Sequence, residues 1–173
     1  MKNINLNSDI GEGFGVYDIG NDTEMLKIVN SANIACGFHA GDPNVMDRVV
    51  KQSIKNGVSI GAHPGFNDLW GFGRRQIQMS TDEIEASVAY QIGALQAISA
   101  TNNAIVTHVK PHGALNNMSS LDPAIATAIA RGVNLVDPKL ILVAVSGSFL
   151  FSAGQALGLT VAAEAYADRS YED

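Results

Sequence analysis

Short apolar runs alternate along the chain with longer segments in which apolar residues recur every three or four positions. The short runs are typical of buried β-strands, and the longer period is typical of amphipathic helices. The pattern predicts strands near residues 3–7, 33–37, 58–62, 105–110, 140–145 and 159–163. It predicts helices near residues 22–31, 43–56, 81–101, 123–135 and 148–157.

The alternation of strands and helices predicts a parallel sheet with right-handed crossovers. We therefore expect a single α/β domain over residues 1–173 of (β/α) barrel type, with an open doubly wound sheet as the alternative. Ser80 and Glu83 form a capping box, which marks the start of a helix. Asp42 precedes a first-turn proline, so helix capping explains this residue as well as a functional role does.

Ionisable residues collect at the ends of the predicted strands, and all four histidines are among them. In a parallel α/β fold, residues just past the carboxyl ends of the strands converge on one rim, where active sites form. The residues in these positions are Asp9, Glu12, His39, Asp42, His63, His108, Lys110, His112 and Glu164. The sequence therefore predicts an active site at this rim, and the alternative is a set of separate structural histidines.

Two segments carry most of the candidate chemistry. The long connection 8–21 combines Asp9 and Glu12 with glycines, so each carboxylate is a candidate general base, metal ligand or acceptor for a ligand amine. It lacks the Lys-Ser/Thr ending of a phosphate-binding loop. Lys110 and His112 follow the fourth strand, where a cation can stabilise an anion and an imidazole can move protons near neutral pH.

Other candidates have structural explanations of equal or greater weight. Long ordered loops are usually functional, and the aromatics and glycines of 63–80 suit a lid. Within it, Arg74 and Arg75 are either a carboxylate clamp or a solvated pair. His108 is either a site residue or a satisfied core group, and Cys36 is expected in the core rather than as a nucleophile.

Composition narrows the class of protein. The net charge of −6 argues against a nucleic-acid binder, which needs a basic surface. The single cysteine allows no internal disulfide and favours a reducing compartment. The stretch 140–163 has no charged residue, but glycines and serines interrupt it as they would a strand–helix–strand unit rather than a membrane span. We expect a cytoplasmic protein.

Five separate blocks carry a family resemblance: NSDIGE at 7–12, NIACGFHAGD at 33–42, GAHP at 61–64, VKPHGAL at 109–115 and EAYADRSY at 164–171. Together they closely resemble the LamB/YcsF family of lactam-utilisation proteins. The resemblance runs from the first strand to the last residue. It implies a barrel related to the glycoside hydrolase/deacetylase folds.

The family resemblance also implies an activity and partners. It implies a component of the bacterial ATP-dependent 5-oxoprolinase, which opens 5-oxoproline to glutamate together with subunits B and C. With no phosphate-binding loop in the sequence, ATP is expected to be bound partly or wholly by those partners.

The resemblance carries over ten site residues. Six are expected to be catalytic, namely Asp9, Glu12, His39, His63, Lys110 and His112. Four are expected to bind substrate, namely Asp42, Glu164, Asp168 and Arg169. As a working mechanism, Asp9 or His63 activates water, Lys110 and His112 stabilise the oxyanion, and Arg169 holds the substrate carboxylate.

Two expectations concern the chain's end and rival functions. Family members continue beyond residue 173, so we expect an incomplete barrel with an uncovered edge and self-association. The first rival function is a metal-dependent amide or ester hydrolase of deacetylase type, with Asp9, His39 and His63 as ligands of a divalent ion. The second is a non-catalytic ligand-binding protein.

Overall fold

The computed structural model describes residues 4–167 and contains one parallel sheet. Its strands are β1 (Asn7–Ile10), β2 (Ser31–Ala35), β3 (Ser59–His63), β4 (Val106–Val109), β5 (Ile141–Val145) and β6 (Val161–Glu164). They lie side by side in chain order, and every neighbouring pair is parallel. This order confirms the barrel-type sheet over the doubly wound alternative, in which the strand order reverses.

The sheet is curled but open. Within residues 4–167, β1 and β6 each have a neighbour on one side only. Their polar side chains still approach each other, because Lys110 contacts Asp9 of β1 and Glu164 of β6. The expectation of an incomplete barrel is confirmed for this part of the chain.

Helices connect the strands. They are α1 (Asp22–Met25), α2 (Pro43–Asn56), α3 (Thr81–Thr101), α4 (Gly113–Leu121), α5 (Pro123–Val136) and α6 (Phe149–Ala156). The predicted capping box is present, with Ser80 accepting from the Glu83 backbone and Glu83 accepting from the Ser80 backbone. α2 ends at Gly57, whose φ of 67° is the left-handed conformation that glycine adopts easily.

The core lies between the sheet and its outer helices. The fully buried residues there include Val49, Val88, Ile92, Leu95 and Ile129. Burying each such side chain contributes about 1.5–3 kcal/mol. α3 and α5 pack closely because Gly132 has no side chain, and a Cβ there would stand 2.8 Å from the Glu85 carbonyl oxygen.

Three predicted elements were wrong in position or missing. The first strand is Asn7–Ile10 rather than 3–7, since Ile4 and Leu6 are exposed; Asp9 therefore lies within a strand instead of after it. The second strand starts at Ser31, which shortens the helix predicted at 22–31 to Asp22–Met25. Helix α4 was not predicted, because it is short and begins at a glycine that suggests a loop.

The uncharged stretch 140–163 is divided among β5, α6 and β6, as expected. Over residues 4–167, no helix has the length and apolar character needed to cross a membrane.

Candidate active site

Most of the polar residues predicted at strand ends meet at one rim of the sheet. Seven of them form a connected group: Asp9, Glu12, His39, His63, Lys110, His112 and Glu164. They come from β1, β3 and β6 and from the turns that follow β1, β2 and β4. The group forms because these strands end at the same level of one parallel sheet.

His63 lies at the centre of the group and is almost fully buried. Its Nδ1 lies 2.6 Å from the backbone oxygen of Lys110, so Nδ1 carries the hydrogen and donates it. Its Nε2 faces Asp9 Oδ2 at 3.3 Å and His112 Nδ1 at 3.0 Å. Burial opposes protonation, but the Asp9 carboxylate outweighs it, and the pKa of His63 is raised.

His112 is fixed in the opposite tautomer. Its Nε2 donates to the backbone oxygen of Phe72 at 2.8 Å, which leaves Nδ1 as an acceptor. This Nδ1 faces His63 Nε2 and lies 3.4 Å from Glu12 Oε1. Burial and the neighbouring His63 lower the pKa of His112 to about 3, so the ring is neutral at pH 7. A neutral ring with an outward acceptor atom is a poor oxyanion stabiliser, contrary to the working mechanism.

His39 supports Glu12. Its Nε2 lies 3.0 Å from Glu12 Oε1, and burial followed by the charge of His63 lowers its pKa to about 2. The neutral ring therefore donates from Nε2 to the carboxylate. The loop after β3 packs against this ring through Gly65 and Gly73, where an added Cβ would stand 2.7 Å from Nδ1 and 2.6 Å from Cβ of His39.

Lys110 joins the two ends of the sheet. Its Nζ lies 2.8 Å from Glu164 Oε1, 3.2 Å from Asp9 Oδ1 and 3.3 Å from Asn7 Oδ1. Asn33 Nδ2 donates to the same Asp9 oxygen at 2.9 Å. Burial lowers the pKa of Lys110, but Asp9 and Glu164 raise it further, so the ammonium keeps its charge.

The two carboxylates of the first loop differ in proton affinity. Burial raises the pKa of Asp9, yet His63 and Lys110 lower it more, and it stays far below the usual range. Burial raises the pKa of Glu12, and the histidines offset this only in part. Glu12 is therefore the better proton acceptor, whereas Asp9 is a permanent anion.

The structure also places four potential metal-binding side chains together. One ligand atom each from Glu12, His39, His63 and His112 lies within 4.8 Å of the others. The set predicted from sequence was Asp9, His39 and His63. Asp9 Oδ2 remains adjacent to this group through its 3.3 Å contact with His63.

Nearly the whole chain matches one known protein family. The family model is described as the LamB/YcsF family, and it covers residues 4–173. The chain belongs to the LamB/YcsF family.

Relatives of this LamB/YcsF chain carry one name. The A subunit of 5-oxoprolinase from Geobacillus kaustophilus is 56% identical over 172 residues, which are 99% of this chain and 67% of the relative. The protein of the same name from Natranaerobius thermophilus is 55% identical over 171 residues, 99% of this chain and 66% of the relative. The crystal structure of a lactam utilization protein from Thermus thermophilus matches with a TM-score of 0.96 at 44% identity, covering 98% of this chain and 69% of that one. The chain thus spans about two-thirds of the length of these relatives.

A small cavity of about 180 Å³ opens beside the group of ionisable residues. Its polar lining includes Asp9, His63, Arg74, Lys110, His112 and Tyr166. A larger cavity of about 460 Å³ lies inside the curled sheet between β1 and β6, lined by His108 and Glu164 but not by His63 or His112. The smaller cavity is the one that the rim chemistry faces.

The LamB/YcsF chain uses two of the candidate residues for structure. Asp42 caps α2, with its carboxylate accepting from the backbone nitrogens of Asn44 and Val45. Buried Cys36 points its thiol at the Ile34 carbonyl oxygen 3.2 Å away, and burial raises the pKa of that thiol to about 12.

His108 lies below the rim. Its Nε2 lies 3.1 Å from Asn33 Oδ1, which favours the satisfied core histidine. The ring fits because residue 61 is glycine, where an added Cβ would stand 2.1 Å from His108 Nε2.

The adjacent arginines of the loop after β3 have different partners. Arg75 pairs with the buried Asp68, away from the cavity. Arg74 lines the small cavity, with its guanidinium carbon 5.5 Å from the Phe72 ring centre. Sequence reasoning did not separate the two, and no local signal distinguishes them. Asp168 and Arg169 lie outside the described residues.

Proposed function

We propose that this LamB/YcsF chain acts as the A subunit of an ATP-dependent 5-oxoprolinase. In this role it cleaves the lactam of 5-oxo-L-proline to L-glutamate with ATP hydrolysis, together with subunits B and C. The observation that carries the proposal is the rim group around the small cavity, in a chain whose relatives bear this enzyme's name.

The cavity offers complementary chemistry for a small lactam acid. Lys110 is a buried cation beside the permanent anion Asp9, and it can approach an oxygen on which negative charge develops. Arg74 stands at the exposed side of the same cavity, where a guanidinium can bind a carboxylate through two hydrogen bonds. A ring held between these two cations would present its carbonyl carbon to the histidine group.

Water activation falls to the group formed by Glu12, His63 and His112. Their acceptor atoms point at one another and at the cavity, so a bound water can be oriented and can lose its proton there. Asp9 serves this step by position and charge rather than as a base, because its pKa is held far below the usual range.

The decisive experiment is a glutamate-release assay on 5-oxoproline with ATP. We expect activity when the chain is combined with subunits B and C, and none from the chain alone. Robust turnover by the isolated chain, or none in the complete mixture while the relatives' enzymes are active, would contradict the proposal.

Neighbouring arginines provide a matched pair for the substrate carboxylate. Arg74→Ala should raise KM for 5-oxoproline about tenfold or more, since one charge-assisted contact is lost. Arg75→Ala should leave KM unchanged, because Arg75 binds Asp68 instead of lining the cavity. Equal effects of the two substitutions would show that Arg74 does not contact the substrate.

A further inference from the structure

We propose that Glu12, His63 and His112 are the protein ligands of one divalent transition-metal ion. The inference deepens the proposed function, because it states how the group that faces the small cavity orients water. It rests on that function only for the use of the ion, since the ligand geometry stands by itself.

The tautomers of two histidines carry the first step. Backbone oxygens can only accept hydrogen bonds, so the Lys110 carbonyl places the hydrogen of His63 on Nδ1, and the Phe72 carbonyl places that of His112 on Nε2. The remaining ring nitrogens, His63 Nε2 and His112 Nδ1, stand 3.0 Å apart. In neutral rings both present lone pairs, so this contact calls for a cation between them, either a proton or a metal ion.

The third acceptor favours a metal ion. Glu12 Oε1 lies 3.4 Å from His112 Nδ1 and 3.9 Å from His63 Nε2. Ligands on tetrahedral bonds of about 2.0–2.1 Å stand roughly 3.3 Å apart, which is close to the spacing of these three atoms. A proton bridges two atoms, whereas a metal ion accounts for three acceptors that converge. Asp9 Oδ2, 3.3 Å from His63 Nε2, stands where a fourth ligand or a bound water would lie.

The surroundings of the ligands have the arrangement that metal sites need. A histidine that binds a metal almost always donates its second ring N–H to a carbonyl or carboxylate, and both His63 and His112 do so. His39 donates to Glu12 Oε1 and so orients the carboxylate. The positive charge of Lys110 is matched by Asp9 and Glu164, which leaves Glu12 to neutralise the ion.

His39 is assigned to the supporting layer for a geometric reason. Its ring is stacked on that of His112, with centroids 3.7 Å apart and planes only 6° from parallel. Ring lone pairs lie in the ring plane, so two parallel stacked rings cannot both point at one ion. This differs from the set predicted from sequence, in which His39 was a ligand and His112 was not.

Metal binding can be measured without any activity assay. The whole chain is stripped with a chelator, titrated with Zn²⁺ by calorimetry, and examined by elemental analysis after gel filtration. We expect one zinc per chain. His112→Ala and Glu12→Gln should each weaken zinc affinity at least about 100-fold, and His39→Ala about 10- to 100-fold, as removal of a supporting partner does.

His108→Gln is the matched control, because His108 is a buried histidine of the same sheet that does not belong to the group. It should bind zinc as the unsubstituted chain does. Glu12 is partly exposed, so Glu12→Gln keeps the test available if His112→Ala fails to fold. No stoichiometric zinc in the unsubstituted chain, or equal zinc affinity in Glu12→Gln, would overturn the inference.

The closing assay separates this inference from the proposed function. Full lactam cleavage by the metal-free chain with subunits B and C would overturn the metal site and leave the function intact. Stoichiometric zinc binding that the substitutions abolish, without lactam cleavage in the complete mixture, would leave the site intact and contradict the function.

Discussion

At the residue scale, Asp42 illustrates how one side chain can look functional and act as a helix cap. One carboxylate oxygen accepts from the backbone nitrogens of Asn44 and Val45 at 2.7 and 2.9 Å, and the other accepts from Gly15 at 2.8 Å. Both oxygens are therefore used within the protein. The role of Asp42 in substrate binding stays a prediction.

Substitution of Asp42 tests the cap directly. Asp42→Ala should lower the free energy of unfolding by about 1 kcal/mol, whereas Asp42→Asn should keep most of it, because asparagine caps nearly as well. Urea denaturation measures both, and Asp82→Ala serves as a control in the first turn of another helix. Unchanged stability in Asp42→Ala together with a large rise in KM would favour the substrate role instead.

The ion pair of Asp68 and Arg75 gives a pH-dependent prediction. The Arg75 guanidinium lowers the pKa of Asp68 to about 2. A carboxylate with a lowered folded-state pKa stabilises the fold above its ordinary pKa of about 3.9, and this contribution is lost as the pH falls toward the folded value. Asp68→Asn should therefore be less stable than the unsubstituted chain at pH 6, and the difference should shrink between about pH 4 and pH 2.

Thermal unfolding at several pH values measures this difference. Arg75→Ala should show the same pH dependence, because it removes the same pair. A difference that stays constant from pH 6 to pH 2 would show that Asp68 acts through its hydrogen bond to Gly71 rather than through its charge.

At the element scale, the sequence predicted the elements whose ends carry their own chemistry. α2 and α3 were placed to the residue, because Asp42 and the Ser80–Glu83 box mark their starts. The first strand was misplaced, because Ile4 and Leu6 suggest burial but are exposed. Whether an apolar residue finds a partner depends on distant parts of the chain, and periodicity does not contain that information.

The pairing of β3 with β4 depends on one glycine. The register shifts between Ile60 and Gly61, and the His108 ring occupies the space where a side chain at residue 61 would lie. Gly61→Ala should lower the free energy of unfolding by about 1–3 kcal/mol, which is the usual cost of overpacking a core. In a His108→Ala background the same substitution should cost much less, because the obstructing ring is absent.

Denaturation of the two single variants and the double variant gives the coupling energy between residues 61 and 108. Additive effects would mean that the cost at residue 61 comes from the β-strand backbone and not from the histidine. Gly93→Ala, in a helix where nothing lies within 4 Å of the added methyl, is a control for the glycine-to-alanine change itself.

At the scale of the whole molecule, the rim could be predicted but its supporting contacts could not. Strand ends converge by topology, so the meeting of Asp9, His63 and His112 followed from their positions in the sequence. Asn33 and Arg74 were not predicted as site residues, because the first projects from mid-strand and the second has an arginine neighbour of equal promise. Only the three-dimensional packing distinguishes them.

The open sheet leaves the expected self-association as a prediction. Within residues 4–167, β1 and β6 each expose one edge, and a cavity of about 460 Å³ lies between them. Unpaired edges favour association with another chain. Sedimentation velocity over a range of concentrations should show a species larger than the monomer, and a monomer at all concentrations would contradict the expectation.

The last prediction concerns the ion pairs that link the two ends of this open sheet. Lys110 contacts Asp9 on β1 and Glu164 on β6, and both Lys110 and Glu164 are nearly buried. Lys110→Met keeps the aliphatic length but leaves two carboxylates facing each other without a cation. Removal of one partner of a buried pair costs about 3–5 kcal/mol, and the lower end applies because the Asp9 side chain is 36% exposed.

We therefore expect Lys110→Met to lower the free energy of unfolding by about 3 kcal/mol, measured by urea denaturation at pH 7. The double variant Lys110→Met with Glu164→Gln should recover part of this loss, because it also removes one of the unpaired charges. Lys55→Met, at the exposed end of α2, controls for the loss of a positive charge as such. If Lys110→Met is as stable as the unsubstituted chain, the two ends of the sheet are held by the strands between them, and the charge on Lys110 serves the cavity alone.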